Sequence, residues 1–312
     1  MRRLHGFGRW ARLLPCSALI LLAHSAVGAA PKVIRSAHFL VYYERWTELP
    51  SARDAGRIGE DRLGEIARDL GYRGAGRIVI AVYRDRRDFL QKAGVTGMGP
   101  IGVVRYPESI IYLDVSGSRL RLEHMVPHEV THVLLLRLLG PGRIAKLPLW
   151  FNEGLAEYES RVWTGMDDAA LGELMRRNRA LPLDKLSAAF QGNEEAVADA
   201  YLQAWSVVRF LAAREGDGFA RRILSALKTR PAFASALAAG TGRDLAGLDR
   251  AWRSAASAAR HEPPAPLFWG LFTAYVVGAV AAVAVFAKIW LALRRRGVAL
   301  EGDQAVTKET EK

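Results

Sequence analysis

The chain has 312 residues, half of them hydrophobic and about a quarter charged, an ordinary globular balance that allows a real core. Its net charge is +12, but Arg2, Arg3, Arg9 and Arg12 lie in a leader without acids, which leaves about +8 for the rest, with no basic run interleaved with aromatics, so nucleic acid is set aside as a partner. The single cysteine, Cys16, sits in that leader; disulfides and a thiolate zinc cluster are thereby excluded from the mature domain, and any metal must be held by His, Asp and Glu.

Residues 1–30 begin with arginines, continue as a short apolar stretch and end in small residues. These are the parts of a secretory signal, with cleavage expected near Ala29 or Ala30. Residues 37–43 (AHFLVYY) read as a strand. Residues 52–70 carry Ile58, Leu63, Ile66 and Leu70 at helical spacing and end at Gly71. Residues 77–83 (RIVIAVY) read as a strand and 85–93 as a short helix. The Gly-rich stretch GVTGMGPIG reads as a loop, and 101–106 and 109–114 as two strands around Pro107-Glu108. Helices are expected over 119–139, 148–161, 167–178, 196–214, 217–229 and 243–259.

The expected fold is therefore α+β. An α/β part over 31–117 carries an N-terminal mixed sheet with helices, and an all-α part follows over 118–262. A stiff proline-bearing linker over 263–267 leads to an apolar segment over 268–293, whose first twenty residues carry no charge, long enough to cross a hydrocarbon core. Arg294, Arg295 and Arg296 follow at once. Positive charge gathers on the cytoplasmic side, so residues 294–312 are expected as a cytoplasmic tail and the domain as extracytoplasmic, on the plasma (inner) membrane.

The chemical signal is His128-Glu129-Val130-Thr131-His132, an H-E-x-x-H pattern. Positions four apart share one face of a helix, so both imidazoles can reach one zinc ion about 2 Å from each nitrogen. Glu129 is rotated off that line, where it can act as general base on a water whose pKa zinc lowers to ~7. A third protein ligand is needed to leave one place open. After the break at Gly140-Pro141-Gly142, a second helix carries Trp150-Phe151-Asn152-Glu153-Gly154-Leu155-Ala156-Glu157. Glu153 and Glu157 share a face among apolar neighbours, and an antiparallel pair of helices would turn that face to the histidines. Glu153 can then be the third ligand, and Glu157 can accept the free N–H of a ligand histidine and fix its tautomer.

An H-E-x-x-H helix followed about twenty residues later by Trp-x-Asn-Glu-Gly-x-Ala resembles the gluzincin zinc peptidases, the thermolysin-like and aminopeptidase-like superfamily, and most closely peptidase MA-like domains. The resemblance covers roughly residues 35–215. It implies one zinc per chain on His128, His132 and Glu153, Glu129 as catalytic base and proton shuttle, Glu157 as the acid behind a ligand, and a peptide or protein substrate. It also implies an edge strand that pairs with the substrate backbone, here Ile101, Gly102, Val103, Val104 and Arg105. Thermolysin-like enzymes place a downstream His at the oxyanion, but none lies between His132 and His261. A tyrosine is the other family solution, and Tyr201 is the candidate.

Other residues are given lesser parts. Asn152, beside the ligands, is expected to order the turn rather than act on substrate. His124 shares the face of His128, but Pro127 between them suggests a kink or a helix start. Trp163, Trp205 and Trp252 are read as core. No Gly-x-Met-x-Asn signature is present, which leaves exopeptidase action unsupported. Leu135 and Leu138 stand where metzincins need Gly and His, and Arg121, Glu123 and Arg137 lie too close to the motif for an intramembrane protease. The reading is an extracytoplasmic, membrane-tethered zinc peptidase, more an endopeptidase than an exopeptidase. Its rivals are a non-hydrolytic zinc-binding scaffold of the same fold and an amidase acting on cell-wall peptide bonds.

Overall fold

A computed structural model describes residues 30–95, 101–105, 108–117 and 119–258. The chain falls into two units, 1–257 and 258–312, and all but the last described residue belong to the first. The expected leader, linker, membrane segment and tail lie outside the described residues, apart from residue 30. None of the described helices is long and apolar enough to cross a membrane.

The fold is α+β. Five strands, β1 (Lys32–Arg35), β2 (Phe39–Tyr43), β3 (Ile78–Tyr83), β4 (Gly102–Arg105) and β5 (Ile110–Asp114), form one mixed sheet in the order β1-β2-β3-β5-β4. The three inner strands are parallel, and β1 and β4 are antiparallel edges. β3 is buried along its whole length. Its alternate residues enter different clusters, Ile78, Ile80 and Val82 on one face and Val79, Ala81 and Tyr83 on the other. This is why it reads as a continuous apolar run rather than an alternating one.

Helix α1 (Leu49–Leu70) joins β2 to β3 and packs on the larger cluster. Helix α2 (Arg86–Ala93) covers the opposite face with Phe89 and Ala93, and Asp85 caps it by accepting from the N–H groups of Arg87 and Asp88. After β5 the described chain is helical: α3 (Arg119–Leu139), α4 (Pro141–Ile144), α5 (Leu149–Ser160), α6 (Gly165–Arg176), α7 (Leu183–Ala189), α8 (Glu194–Glu215), α9 (Phe219–Thr229), α10 (Phe233–Thr241) and α11 (Leu245–Ala258). α3 is the central helix. It packs against α1, α5 and both β4 and β5, with Val126, Val130, Val133, Leu134 and Leu135 all buried.

Most expected elements fall within a few residues of the observed ones. α1 begins three residues early because Pro50 is tolerated in a first turn. β1, α4, α7 and α10 were not anticipated. β1 has only four residues and a half-buried pattern, and α10 is alanine-rich with no polar stripe to mark its faces. Pro127 neither starts nor ends a helix; it lies inside α3. A proline there costs one backbone hydrogen bond, and burial of Leu122, Met125 and Val126 around it holds the helix through the gap.

α5 lies between α3 and α8. A Cβ on Gly154 would stand 2.6 Å from the carbonyl oxygen of Ala204 and 2.8 Å from Val208 Cγ2, so only glycine lets the two backbones approach this closely. Gly154→Ala is therefore expected to destabilise the fold by about 1–3 kcal/mol, although alanine's better helix propensity alone would add ~1 kcal/mol of stability. Thermal unfolding of the full chain reads this directly; a neutral or raised midpoint would refute the close approach.

Candidate metal centre

α3 presents His124, His128 and His132 one turn apart on a single face. Neighbouring ring centroids are 5.6 and 4.9 Å apart. α5 runs antiparallel to it, as the pairing order shows. His124 meets Glu157, His128 meets both Glu157 and Glu153, and His132 meets Glu153 and Asn152. His128 Nε2 lies 3.4 Å and His132 Nε2 3.6 Å from the same oxygen, Glu153 Oε2. One ligand atom from each of the three residues lies within 4.8 Å of the others.

These separations suit a metal ion. Ligand atoms at about 2.0–2.1 Å in tetrahedral array stand roughly 3.3–3.4 Å from one another, and two imidazoles with one carboxylate are a donor set that zinc accepts. Each outer ring nitrogen has a polar atom close by. Asn152 Oδ1 is 3.1 Å from His132 Nδ1, so an Nδ1–H there leaves Nε2 bare toward Glu153. Glu157 Oε1 is 3.2 Å from His128 Nδ1. Asn152 thus orients a histidine rather than the turn expected from sequence.

In a second group, His124, His128 and Glu157 likewise bring one possible ligand atom each within 4.8 Å of the others. His124 Nε2 is 3.3 Å from Glu157 Oε1, while Arg161 Nη1 donates to Glu157 Oε2 at 3.1 Å. A guanidinium on the other oxygen already neutralises this carboxylate and would repel a cation beside it. We read the second group as a set of ring contacts on one acid, not a second ion site. The helix continues through Pro127, so the spacing of four brings His124 to the same face, where it meets Glu157.

Burial and charge act against each other here. Burial alone would lower the pKa of His128, but the Glu153 and Glu157 carboxylates more than offset this and raise it to about 10 in the metal-free chain. His132 is raised for the same reason, with Glu153 as the chief opposing charge. Burial pushes Glu153 and Glu157 up, yet the imidazoles, and for Glu157 also His124, hold both well below the usual carboxylate range.

Glu129, only 6% exposed, is pushed up by burial, with His128 and His132 pulling the other way. It faces β4. A Cβ on Gly102 would stand 3.0 Å from Glu129 Cδ and Cγ and closer still to Oε1, so the missing side chain at Gly102 makes the room that Glu129 occupies. Gly102 was counted in the sequence only as part of a strand. Ile101, Gly102, Val103, Val104 and Arg105 lie at the sheet margin, where Gly102–Arg105 pair with β5 alone among the described strands. Tyr201, on α8, packs against Phe190 with its ring centroid 5.0 Å away. Its pKa is raised by burial first, then by the charge of Glu153 and a hydrogen bond to it. Of the three tryptophans read as core, Trp205 and Trp252 are buried, but Trp163 is only half-buried.

Two facing helices thus bring together a His-His-Glu group that could hold a metal ion, beside a buried carboxylic acid and the margin of a mixed sheet. Residues 59–258, nearly two thirds of the chain, match the family model of the Peptidase MA superfamily. The chain belongs to the Peptidase MA superfamily. No curated protein matches it.

Two outcomes are expected. Because the Glu153 and Glu157 carboxylates raise the pKa of His128, metal uptake near neutral pH should displace a proton, and apparent zinc affinity should rise with pH by about tenfold per unit for each proton released. Competition with a chromophoric chelator and calorimetry in buffers of different ionisation enthalpy measure this, and a pH-independent affinity contradicts it. Asn152→Ala and Glu157→Gln should each weaken zinc binding about 10–100-fold by freeing the ring that the lost group orients.

Proposed function

We propose that this chain is a zinc metallopeptidase of thermolysin-like, gluzincin type, acting as an endopeptidase outside the cytoplasm and tethered by its C-terminal segment. The carrying observation is that the Nε2 atoms of two histidines one turn apart face one oxygen of Glu153 at 3.4 and 3.6 Å. His128, His132 and Glu153 would hold one zinc ion, which when bound supplies Lewis acidity to a peptide carbonyl and lowers the pKa of water.

The remaining roles fall to the chain's own side chains. Glu129, its pKa raised by burial, is suited to take a proton from the attacking water and to hand it to the leaving amine. The water's hydroxyl goes to the carbonyl carbon as the C–N bond breaks. Tyr201 stays protonated because burial and the Glu153 charge oppose its ionisation, so its O–H is suited to donate to the oxyanion. β4 would add an extended peptide as a further strand, binding through main-chain hydrogen bonds with little regard to side-chain identity. That favours a peptide or protein substrate, and the missing exopeptidase signature favours internal bonds.

The topology rests on the leader over 1–30, the apolar segment over 268–293 and the arginines at 294–296. Reporter fusions at either end of the apolar segment test it: protease protection of the tail alone is expected.

Glu129→Ala should lower kcat by about 10²–10⁴ while leaving one zinc per chain. Tyr201→Phe should lower kcat by about 10²–10³ with a smaller change in KM. Gly102→Ala should impair turnover through displacement of Glu129, again without loss of metal. A peptide-library digest by the full chain, with and without chelator, supplies the readout. Zinc bound with no turnover of any peptide would favour the scaffold reading.

A further inference from the structure

Apart from the His-His-Glu group, the first unit carries a cavity of about 340 Å³ lined by Arg161, Trp163, Trp205 and Arg209, among others. The guanidinium of Arg161 lies over Trp205, 4.4 Å from the ring centroid, and that of Arg209 lies over Trp163 at 4.9 Å. The two indoles touch at 4.6 Å with a 61° tilt. Trp205 is buried, and Trp163 is fixed by donating its Nε1–H to Asp168 Oδ1 at 2.7 Å. Two exposed cations thus border one open cavity, each laid on an aromatic wall.

Their charges are not equally met. Arg161 donates to Glu157 Oε2 at 3.1 Å and to Asp167 Oδ1 at 3.4 Å. Arg209 pairs with no carboxylate among the described residues, and the contact it makes is the face of Trp163. Stacking uses the flat face of a guanidinium and leaves the donors along its edge available, a fork that matches the oxygens of a carboxylate or phosphate. Val162, on the loop that carries Arg161 and Trp163, and Met166, in the first turn of α6, are more than four-fifths exposed, apolar surface close in sequence to the cavity wall.

We propose that this cavity is a binding site for an oxyanion, a carboxylate or phosphate carried on an apolar or aromatic body, with Arg209 as its principal charge and the tryptophans as its walls. The site does not depend on the hydrolase reading. It shares no residue with the His128–His132–Glu153 group, and its link to that group is the bond from Arg161 to Glu157.

The test titrates the full chain in detergent micelles with N-acetylphenylalanine, its uncharged amide and inorganic phosphate. Tryptophan fluorescence and calorimetry follow binding, each with and without chelator. Saturable binding of the carboxylate or of phosphate is expected at about 1 mM or tighter. The amide should bind at least about tenfold more weakly, as should either anion to Arg209→Gln. Arg209→Lys should recover only part of the loss, since it keeps the charge but not the fork. Which anion saturates first identifies the source. Absence of saturation, affinity unchanged in Arg209→Gln, or binding that vanishes with chelator and so belongs to the metal, would each overturn the proposal.

Discussion

The rest of the site depends on the antiparallel crossing of α3 and α5, where imidazoles meet carboxylates inside a hydrophobic core. Glu129, His132 and Glu157 are buried beside Val126, Val130, Phe151 and Leu155. Ionised groups in such surroundings are costly unless an opposite charge or a hydrogen bond meets them. Here each carboxylate on α5 serves more than one partner. Glu153 faces two Nε2 atoms, and Glu157 faces two histidines with one oxygen and Arg161 with the other. Removal of one member leaves others buried without a counter-charge, so the cluster behaves as a unit.

The same cluster raises a question of register. Histidines on α3 and glutamates on α5 both recur every four residues, so charge alone admits a slip of one turn. Two contacts select the observed register. Gly154 is the position at which α5 closes on the Ala204 carbonyl of α8, and any side chain moved there would collide with it. Asn152 stands opposite His132 Nδ1, where a slip would bring an apolar residue instead. Packing against the third helix thereby fixes which glutamate meets which imidazole.

The sheet completes the arrangement from another side. Glu129 leaves the histidine face of α3 and points to β4, where Gly102 clears space for its carboxyl. β4 is an edge because β5 pairs with it on one side and continues the parallel core through β3 on the other. The buried acid, the strand edge and the His-His-Glu group are thus held by elements that share the central helix. This closeness supports assigning them to one chemical step.

Much of this was legible without coordinates, for identifiable reasons. The β-rich run RIVIAVY marked a strand, and only the structure shows it buried on both faces. The spacing of four in His128–His132 and in Glu153–Glu157 is set by helix geometry alone, so shared faces followed from the sequence. Other features depended on what lies opposite. Gly102 has a purpose only because Glu129 is across from it, Asn152 because His132 is, and Trp163 is half-buried because the Arg209 and Arg161 stacks border a cavity. β1 and α10 were too short or too uniform to carry a period.

By itself the sequence determined the α+β class and the helix faces shared by His128 and His132 and by Glu153 and Glu157, because those follow from the local repeat of 2.0 or 3.6 residues. Only the tertiary structure decided that Glu157 serves both His128 and His124, that Pro127 does not break α3, and that Arg161 joins the His-Glu cluster to a separate cavity. Those outcomes are distances between elements, and such distances are set by how whole faces pack rather than by any pattern along one segment.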